Sequence, residues 1–402
     1  MPADAREFDV VVFGATGFTG QLLADYLARS APVELRWAVA GRNTGRLTSV
    51  RDRLAVEHPG VPAPGVVSAD AADPVSLASL AQRTRVVATT VGPFAKYGEG
   101  LVQACVNHGT DYADITGEPE FVDRMWLLYH RRAIETGARI VHSCGFESIP
   151  PDLGAWWTLR HLPSEAPVQM TGYVRARGGV SAGTFHSAVG GFARARHQRD
   201  VAAERKRAER RPGDRRTSST SLRPHREPLS GRWSVPLPTI DPVVVRRSAA
   251  ACPEYGPDFR YGHFAVVGTL PAVAGCVAGA GALRTFAPIP PVRAALSRLA
   301  KAGEGPSPRR RAASWFRVRF VATSGADTVV TEVSGGDPGY DETAKMLGES
   351  ALCLALDDLP ERSGQLTTVQ AMGPSLLDRL VRAGITFRIV DSHQNGKARW
   401  NG

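Results

Sequence analysis

Phe8–Phe13 (FDVVVF) is an almost unbroken apolar run, β-branched at its centre, as a strand covered on both faces requires. Gln21–Arg29 follows with Leu22, Leu23, Tyr26 and Leu27 on one helical face. The same alternation repeats with short joins. Leu35–Ala40, Gly65–Ser68, Arg85–Val91, Tyr112–Ile115 and Ala138–Ser143 read as strands, and Gly100–Asn107 and Phe121–Thr136 as amphipathic helices. Strand and helix in turn predict an α/β fold over residues 1–150: a Rossmann-type, doubly wound parallel sheet.

Beyond Pro150 the period changes. Gln169–Arg177, Trp315–Ala322 and Thr328–Val333 alternate apolar and polar side chains like half-exposed antiparallel strands. Asp341–Leu356 has Ala344, Leu347, Ala351 and Leu354 at helical spacing, and Leu376–Ala383 reads as another helix. Residues 151–390 are therefore expected to form a second, α+β domain with an open mixed sheet, and the polar residues 391–402 an untethered, disordered tail.

Candidate chemistry sits at the strand ends. Directly after the first strand comes Gly14-Ala15-Thr16-Gly17-Phe18-Thr19-Gly20, opening the first helix. Strand, glycine triplet and helix in that order make a dinucleotide site: Gly14 turns the chain, Gly17 admits a pyrophosphate to the backbone, and Gly20 lets helix and strand pack closely. The helix start then holds the phosphates. An NAD site places a carboxylate at the end of the second strand. This chain has Gly41-Arg42-Asn43 instead, and a guanidinium suits a 2′-phosphate, so the expected cofactor is NADP(H). The bland alternative for Arg42 is a solvated loop charge. Asp70, ending the third strand, is a candidate partner for the adenine amino group, with Asp73 competing as a helix cap. The turns Val91-Gly92-Pro93 and Cys144-Gly145 should flank the nicotinamide. Tyr97, Asp114 and Glu147 are the catalytic candidates, and Tyr112 and Glu118 are titratable groups that also face this region. Ten scattered histidines show no metal spacing, so no metal site is expected.

Length and charge change the picture in two places. The chain has 402 residues and a formal net charge of +10. Residues 194–226 alone hold twelve Lys/Arg against four Asp/Glu, leaving the remainder close to neutral. The high basicity belongs to one insertion, which lacks aromatic residues for base stacking, so nucleic acid is not an expected partner. The insertion reads as solvated and partly disordered, with attraction to anionic lipid as the other reading. Phe264–Leu283 is twenty residues without a charged side chain or histidine, rich in Gly and Ala and interrupted by Pro271. It is expected either as a hairpin or tilted helix dipping into one leaflet, or as a small-residue core segment. Five cysteines without CxxC pairing and an N-terminus without an apolar leader favour a reduced, cytoplasmic setting. The leaflet reading adds a peripheral contact with the inner face of the plasma membrane.

Together VVVFGATGFTG, AGRN, TTVGPFAKYG, DYADITGE, GARIVHSCGFESIPPDLG and GDPGYDETAKMLGESALCLAL resemble the saccharopine dehydrogenase-like oxidoreductases, more closely the actinobacterial trans-acting enoyl reductases. That resemblance implies NADPH-dependent reduction of a carbon–carbon double bond in a lipid-like or polyketide acyl chain, carried by a separate polyketide synthase. It also implies a place in lipid or glycolipid biosynthesis, with members at membranes. Glu147 departs from the family's turn, which usually reads Asp, and this puts catalytic use of that side chain in question. The alternatives are a saccharopine-type imine or amino-acid reductase, and an NADP-binding sensor or membrane scaffold without turnover.

Overall fold

The computed structural model describes residues 6–163, 166–178, 189–209, 215–292, 295, 305–394 and 397–398. The first six strands are β1 (Phe8–Phe13), β2 (Trp37–Gly41), β3 (Gly65–Ser68), β4 (Thr84–Thr89), β5 (Asp111–Asp114) and β6 (Arg139–Val141). They alternate with α1 (Phe18–Ser30), α2 (Thr44–Glu57), α3 (Pro74–Arg83), α4 (Phe94–Tyr97), α5 (Glu99–His108) and α6 (Pro119–Thr136). Every pairing is parallel. Val10 and Val12 face α1 and α2 through Leu23, Leu27, Leu47 and Leu54, whereas Val11 and Phe13 face α3 and α5 through Leu77, Leu80, Leu101 and Val102. Burial on both faces is why these strands read as continuous apolar runs.

After α7 (Ile149–Leu159) the chain builds a mixed sheet. Its strands are β7 (Val168–Arg177), β8 (Arg216–Ser219), β9 (His225–Arg226), β10 (Trp233–Pro236), β11 (Asp258–Gly268), β12 (Trp315–Ser324) and β13 (Asp327–Gly335). Between them lie α8 (Ala195–Ala208), α9 (Asp241–Ala251), α10 (Leu270–Phe286) and α11 (Pro308–Ala312). α12 (Asp341–Leu356) returns to the first sheet and packs its buried Leu347, Ala351 and Leu354 into the core shared with α1. Then β14 (Gly364–Leu366) adds a seventh strand beside β6, giving the order β14-β6-β5-β4-β1-β2-β3. α13 (Thr368–Ala371) and α14 (Gly373–Arg382) lead to β15 (Thr386–Gln394) and β16 (Lys397–Ala398) on the second sheet, ordered β16-β15-β13-β12-β7-β11-β10-β9 with β8 also on β11. The predicted architecture, a doubly wound parallel sheet with an open mixed one, is the observed one.

Three expectations need correction. The segment ending at Val390 does not fray there: β15 runs on to Gln394, with His393 opposite Thr328 on β13. Polar side chains do not prevent this, because the ladder is made by main-chain groups that an open edge supplies. Residues 399–402 lie outside the described residues. The basic insertion, in turn, is docked. Arg194, Val201 and Arg205 share one face of α8, and Arg194 bonds Glu120 at 2.8 Å while Arg205 bonds Asp123 at 3.1 Å, both on α6. Arg205 is 5% exposed, so one face of the helix is a buried seam, while Arg196, Arg199, Lys206, Arg207, Arg216, Arg223 and Arg226 are exposed as the solvated reading expected; residues 210–214 lie outside the described residues. Finally, the apolar segment is neither hairpin nor core. Phe264–Gly268 finishes β11, Thr269 caps the next helix, and along α10 only Val273 is buried. Leu270, Val277 and Phe286 are each more than half exposed. No described helix is long and apolar enough to cross a membrane.

Candidate functional site

The carboxyl end of the parallel sheet collects the chemistry. Leaving β1, Gly14 takes φ +94° and its N–H donates to the Ala40 carbonyl at 2.9 Å, tying the loop to the end of β2. A side chain on Gly20 would put Cβ 2.1 Å from the Gly14 oxygen, so α1 lies against the loop at a separation only glycine permits. Gly17 is the exposed N-cap of α1. It brings no capping side chain, and the first turn holds no acid. The first-turn amides are thus left to a ligand, with the positive end of the helix dipole behind them. Of the remaining loop residues, Ala15 is buried, the Thr16 carbonyl accepts from Gln21 Nε2, and Thr19 is half-buried. Phe18 packs edge-on against Tyr340 at 5.0 Å, under the Arg311 guanidinium.

Arg42 follows β2, exposed, with no ion pair or side-chain hydrogen bond among the described residues. Asn43 is used locally: its side chain accepts from Arg46 N at 3.0 Å and caps α2. Asp70 Oδ1 accepts from Ala72 N at 3.0 Å, while Asp73 caps α3 through Val75 N. The turn after β4 comes alongside, Val91 Cγ2 lying where a Cβ on Gly14 would go.

The three catalytic candidates separate. Tyr97 is 37% exposed at the surface, its ring under Lys96 Nζ at 4.8 Å. Asp114 is fully buried and saturated: it accepts from Tyr112 Oη at 2.8 Å, Thr116 N at 3.0 Å and Ser143 N at 2.9 Å, and pairs with His142 Nδ1 at 2.7 Å. With these four contacts it clamps the ends of β5 and β6. Glu147 is different. It sits in the turn Cys144–Ser148, where Cys144 N donates to the Asp114 carbonyl and Phe146 N to Thr343 Oγ1 of α12. Its Oε2 is shielded from solvent and has no hydrogen-bond partner among the described residues. Burial first, then the negative charges of Asp241 and Asp114, push its carboxyl up to about 8. At neutral pH Glu147 therefore carries a proton.

Asp241, His263 and Tyr261 lay beyond the sequence reading, whereas Glu118 was among its titratable groups. Asp241, at the start of α9, is pushed to about 7 by burial, and His263 Nε2 lies 3.8 Å from its Oδ1. His263 is driven down to about 3 by burial, so this contact joins a neutral ring to an acid, and Tyr261 Oη meets its Nδ1 at 2.9 Å. Glu118, raised by burial, accepts from Phe94 N at 3.0 Å and Ala95 N at 3.1 Å, and so acts as a clamp on the turn after β4.

Comparison with known proteins bears on this geometry. Residues 10–141 match the family described as Saccharopine dehydrogenase NADP binding domain. The trans-acting enoyl reductase of Mycobacterium ulcerans (strain Agy99) is 36% identical over 98% of this chain and all of its own length. That of Mycobacterium tuberculosis (strain H37Rv) is 36% identical over 96% of this chain and 98% of its own. A second protein of that strain, provisionally named for the same activity, is 37% identical over 96% and 99%. The chain belongs to the trans-acting enoyl reductase family. It is an NADP-dependent oxidoreductase with NADP(H) as its cofactor. A saccharopine dehydrogenase (L-Glu forming) from Saccharomyces cerevisiae shares the fold, with a TM-score of 0.52 at 13% identity over 95% of this chain and 99% of that one. The uncapped start of α1, the missing carboxylate after β2 and the unengaged Arg42 are what a phosphorylated dinucleotide requires.

Proposed function

We propose that the protein reduces the carbon–carbon double bond of an α,β-unsaturated acyl thioester, presented in trans by a polyketide synthase, in the assembly of a lipid or glycolipid. The first-turn amides of α1 hold the pyrophosphate, Arg42 the 2′-phosphate, and the turns Val91–Pro93 and Cys144–Gly145 border the nicotinamide. When bound, NADPH supplies a hydride to the β-carbon. Glu147, protonated at neutral pH and without a partner on Oε2, supplies the proton that the α-carbon then takes up. Asp114 positions this turn through Ser143 N and the Asp114 carbonyl's bond from Cys144 N. The observation that carries the reading is the coincidence, at the carboxyl end of one parallel sheet, of an uncapped glycine-lined helix start and, six residues beyond β6, a carboxyl whose shielded Oε2 has no hydrogen-bond partner among the described residues. NADPH absorbance tests it: an enoyl thioester should be consumed one equivalent per NADPH. Consumption only with amino-acid imines would favour the saccharopine-type alternative, and binding without consumption on either panel the sensor alternative.

The protein also meets a membrane surface through α10, in this proposal. Residues 270–283 carry no charge, the helix is exposed on nearly all sides, and Arg284 stands in its last turn. A helix apolar all round is a buried helix in ordinary proteins; lying at a headgroup boundary on the inner face of the plasma membrane would cover it. The setting this implies is cytoplasmic.

A further inference from the structure

At one end of the mixed sheet the neighbouring strands β10, β11, β7 and β12 form a row. Trp233 of β10 stands opposite Gly268, the last residue of β11. β7 runs parallel beside β11 with Ala265 opposite Val174, which, carried on along both strands, brings Gly268 level with Arg177. Arg177 in turn stands opposite Trp315 of β12. α10 leaves the sheet from the middle of this row, since Thr269, directly after Gly268, is its cap. A tryptophan therefore flanks the root of the exposed apolar helix on each side.

Both tryptophans carry guanidinium groups. The Cζ of Arg226 lies 5.2 Å from the Trp233 ring centroid, and those of Arg175 and Arg317 lie 5.6 and 5.8 Å from that of Trp315. Arg232 reaches the same place, its Nη1 3.8 Å from where a Cβ on Gly268 would stand. Arg317 is neutralised by Glu332 at 3.1 Å. Arg175, Arg177, Arg226 and Arg232 are exposed, and none of them makes an ion pair among the described residues. Four unpaired cations and two tryptophans thus surround the start of a helix that carries no charge over residues 270–283.

The three features have one common complement. Tryptophan, apolar with a single polar N–H, collects at the boundary between membrane and water. Clustered arginines attract anionic headgroups, and an exposed apolar helix is covered by the acyl region beneath them. A second copy of the chain fits less well, because a two-fold contact would set these cations against themselves.

We propose that this row is a headgroup collar: Arg175, Arg177, Arg226 and Arg232 bind the phosphates of anionic phospholipids, with Trp233 and Trp315 at the same depth. The collar rests on the reading of α10 as a membrane contact. It adds which lipids are chosen and how the protein is oriented, with this end of the mixed sheet toward the bilayer.

Sedimentation of the full chain with vesicles tests it. Phosphatidylcholine mixed with phosphatidylglycerol should bind more tightly than phosphatidylcholine alone, and raised salt should shrink the difference. Arg175→Gln/Arg177→Gln and Arg226→Gln/Arg232→Gln should each weaken binding to the mixed vesicles about 25-fold, or roughly five-fold per arginine. Both should leave binding to phosphatidylcholine alone, the melting temperature and NADPH affinity unchanged. Equal binding to the two compositions, or mixed-vesicle binding indifferent to both variants, overturns the collar and leaves the α10 reading standing. Sedimentation with neither composition overturns both. Variants that lose affinity for polyglutamate but not for the mixed vesicles would assign the arginines to an acidic protein surface, and the proposal would fall.

Discussion

Arg42→Ala isolates the cofactor's 2′-phosphate. The side chain is exposed and makes no ion pair or side-chain hydrogen bond among the described residues, so its removal should leave the fold and the melting temperature unchanged. What it removes is a charge-assisted hydrogen bond to a phosphate, worth about 1.5–3 kcal/mol, or roughly 10- to 100-fold in Kd. Two features of the structure set where in that range the loss falls. Exposure admits screening, so the loss should shrink as salt is raised from about 0.01 to 0.15 M, over which the Debye length falls from about 30 to 8 Å. Arg46, in the first turn of α2 and likewise exposed, stands ready to replace part of the lost charge, so Arg42→Ala/Arg46→Ala should lose more than the single change. NADPH fluorescence titrations at two ionic strengths, run beside NADH, measure all of this. NADH has no 2′-phosphate and its affinity should move by less than about two-fold. Equal losses for the two nucleotides would refute the assignment, and a lowered melting temperature would show that Arg42 serves the fold.

The glycines of the first loop should divide by role: Gly20→Ala forces Cβ to 2.1 Å from the Gly14 oxygen and should cost about 1–3 kcal/mol, read as a fall in melting temperature. Gly17→Ala, whose nearest contact is an ordinary 3.4 Å, should keep the melting temperature and lose NADPH affinity about ten-fold or more. If Glu147 gives the α-carbon its proton, kcat should fall as pH rises through about 8, and Glu147→Gln should be slow and flat across that range. Because its folded pKa is raised above the unfolded value of about 4.3, its contribution to stability is lost as pH climbs from there to about 8, and the variant should lack that decline in thermal melts. Val277→Asp, on an exposed position of α10, should leave the fold intact and abolish sedimentation with anionic vesicles; unchanged sedimentation removes α10 as the contact.

How far the sequence reaches depends on whether the deciding contact is local. Phe8–Phe13, Gly65–Ser68 and Asp341–Leu356 have the bounds their patterns predict, because buried strands and helices print their own period on the chain. The glycine loop is legible for the same reason: each requirement is met within seven residues. β14 is not. Three residues, Gly364–Leu366, join β6 in a pairing that spans over two hundred positions, and so short a run carries no period of its own. Hydropathy marked α10 as apolar but is silent on what packs against it; only the fold shows that almost nothing does.

The Asp114–His142 pair teaches the same point at the level of chemistry. Read singly, His142 is one of ten scattered histidines and Asp114 one acid among several at strand ends. Their meeting follows from register: Tyr112 lies opposite Ile140 and Ala113 opposite Val141, so the next residue of each parallel strand stands beside its neighbour on the same face. Once β5 and β6 are recognised as adjacent, that alignment can be drawn from the two motifs DYAD and RIVH without coordinates. The acid and the imidazole are then forced together at the sheet's carboxyl end, where such folds keep their ligands. Ser143, at φ +62°, turns the chain at once and separates two groups. His142 is left in the wall of a cavity beside α6, while Glu147 is carried to the turn against α12. A non-glycine residue in the left-handed region costs free energy and persists only where its surroundings over-determine it. Here they do: Ser143 N is held by Asp114, its Oγ donates to the Thr116 carbonyl at 2.6 Å, and its own carbonyl accepts from Ser148 Oγ at 2.8 Å. The turn at Ser143 thus stands between the imidazole and the Glu147 carboxyl, and the bonds that hold it fix where each strand-end group lies.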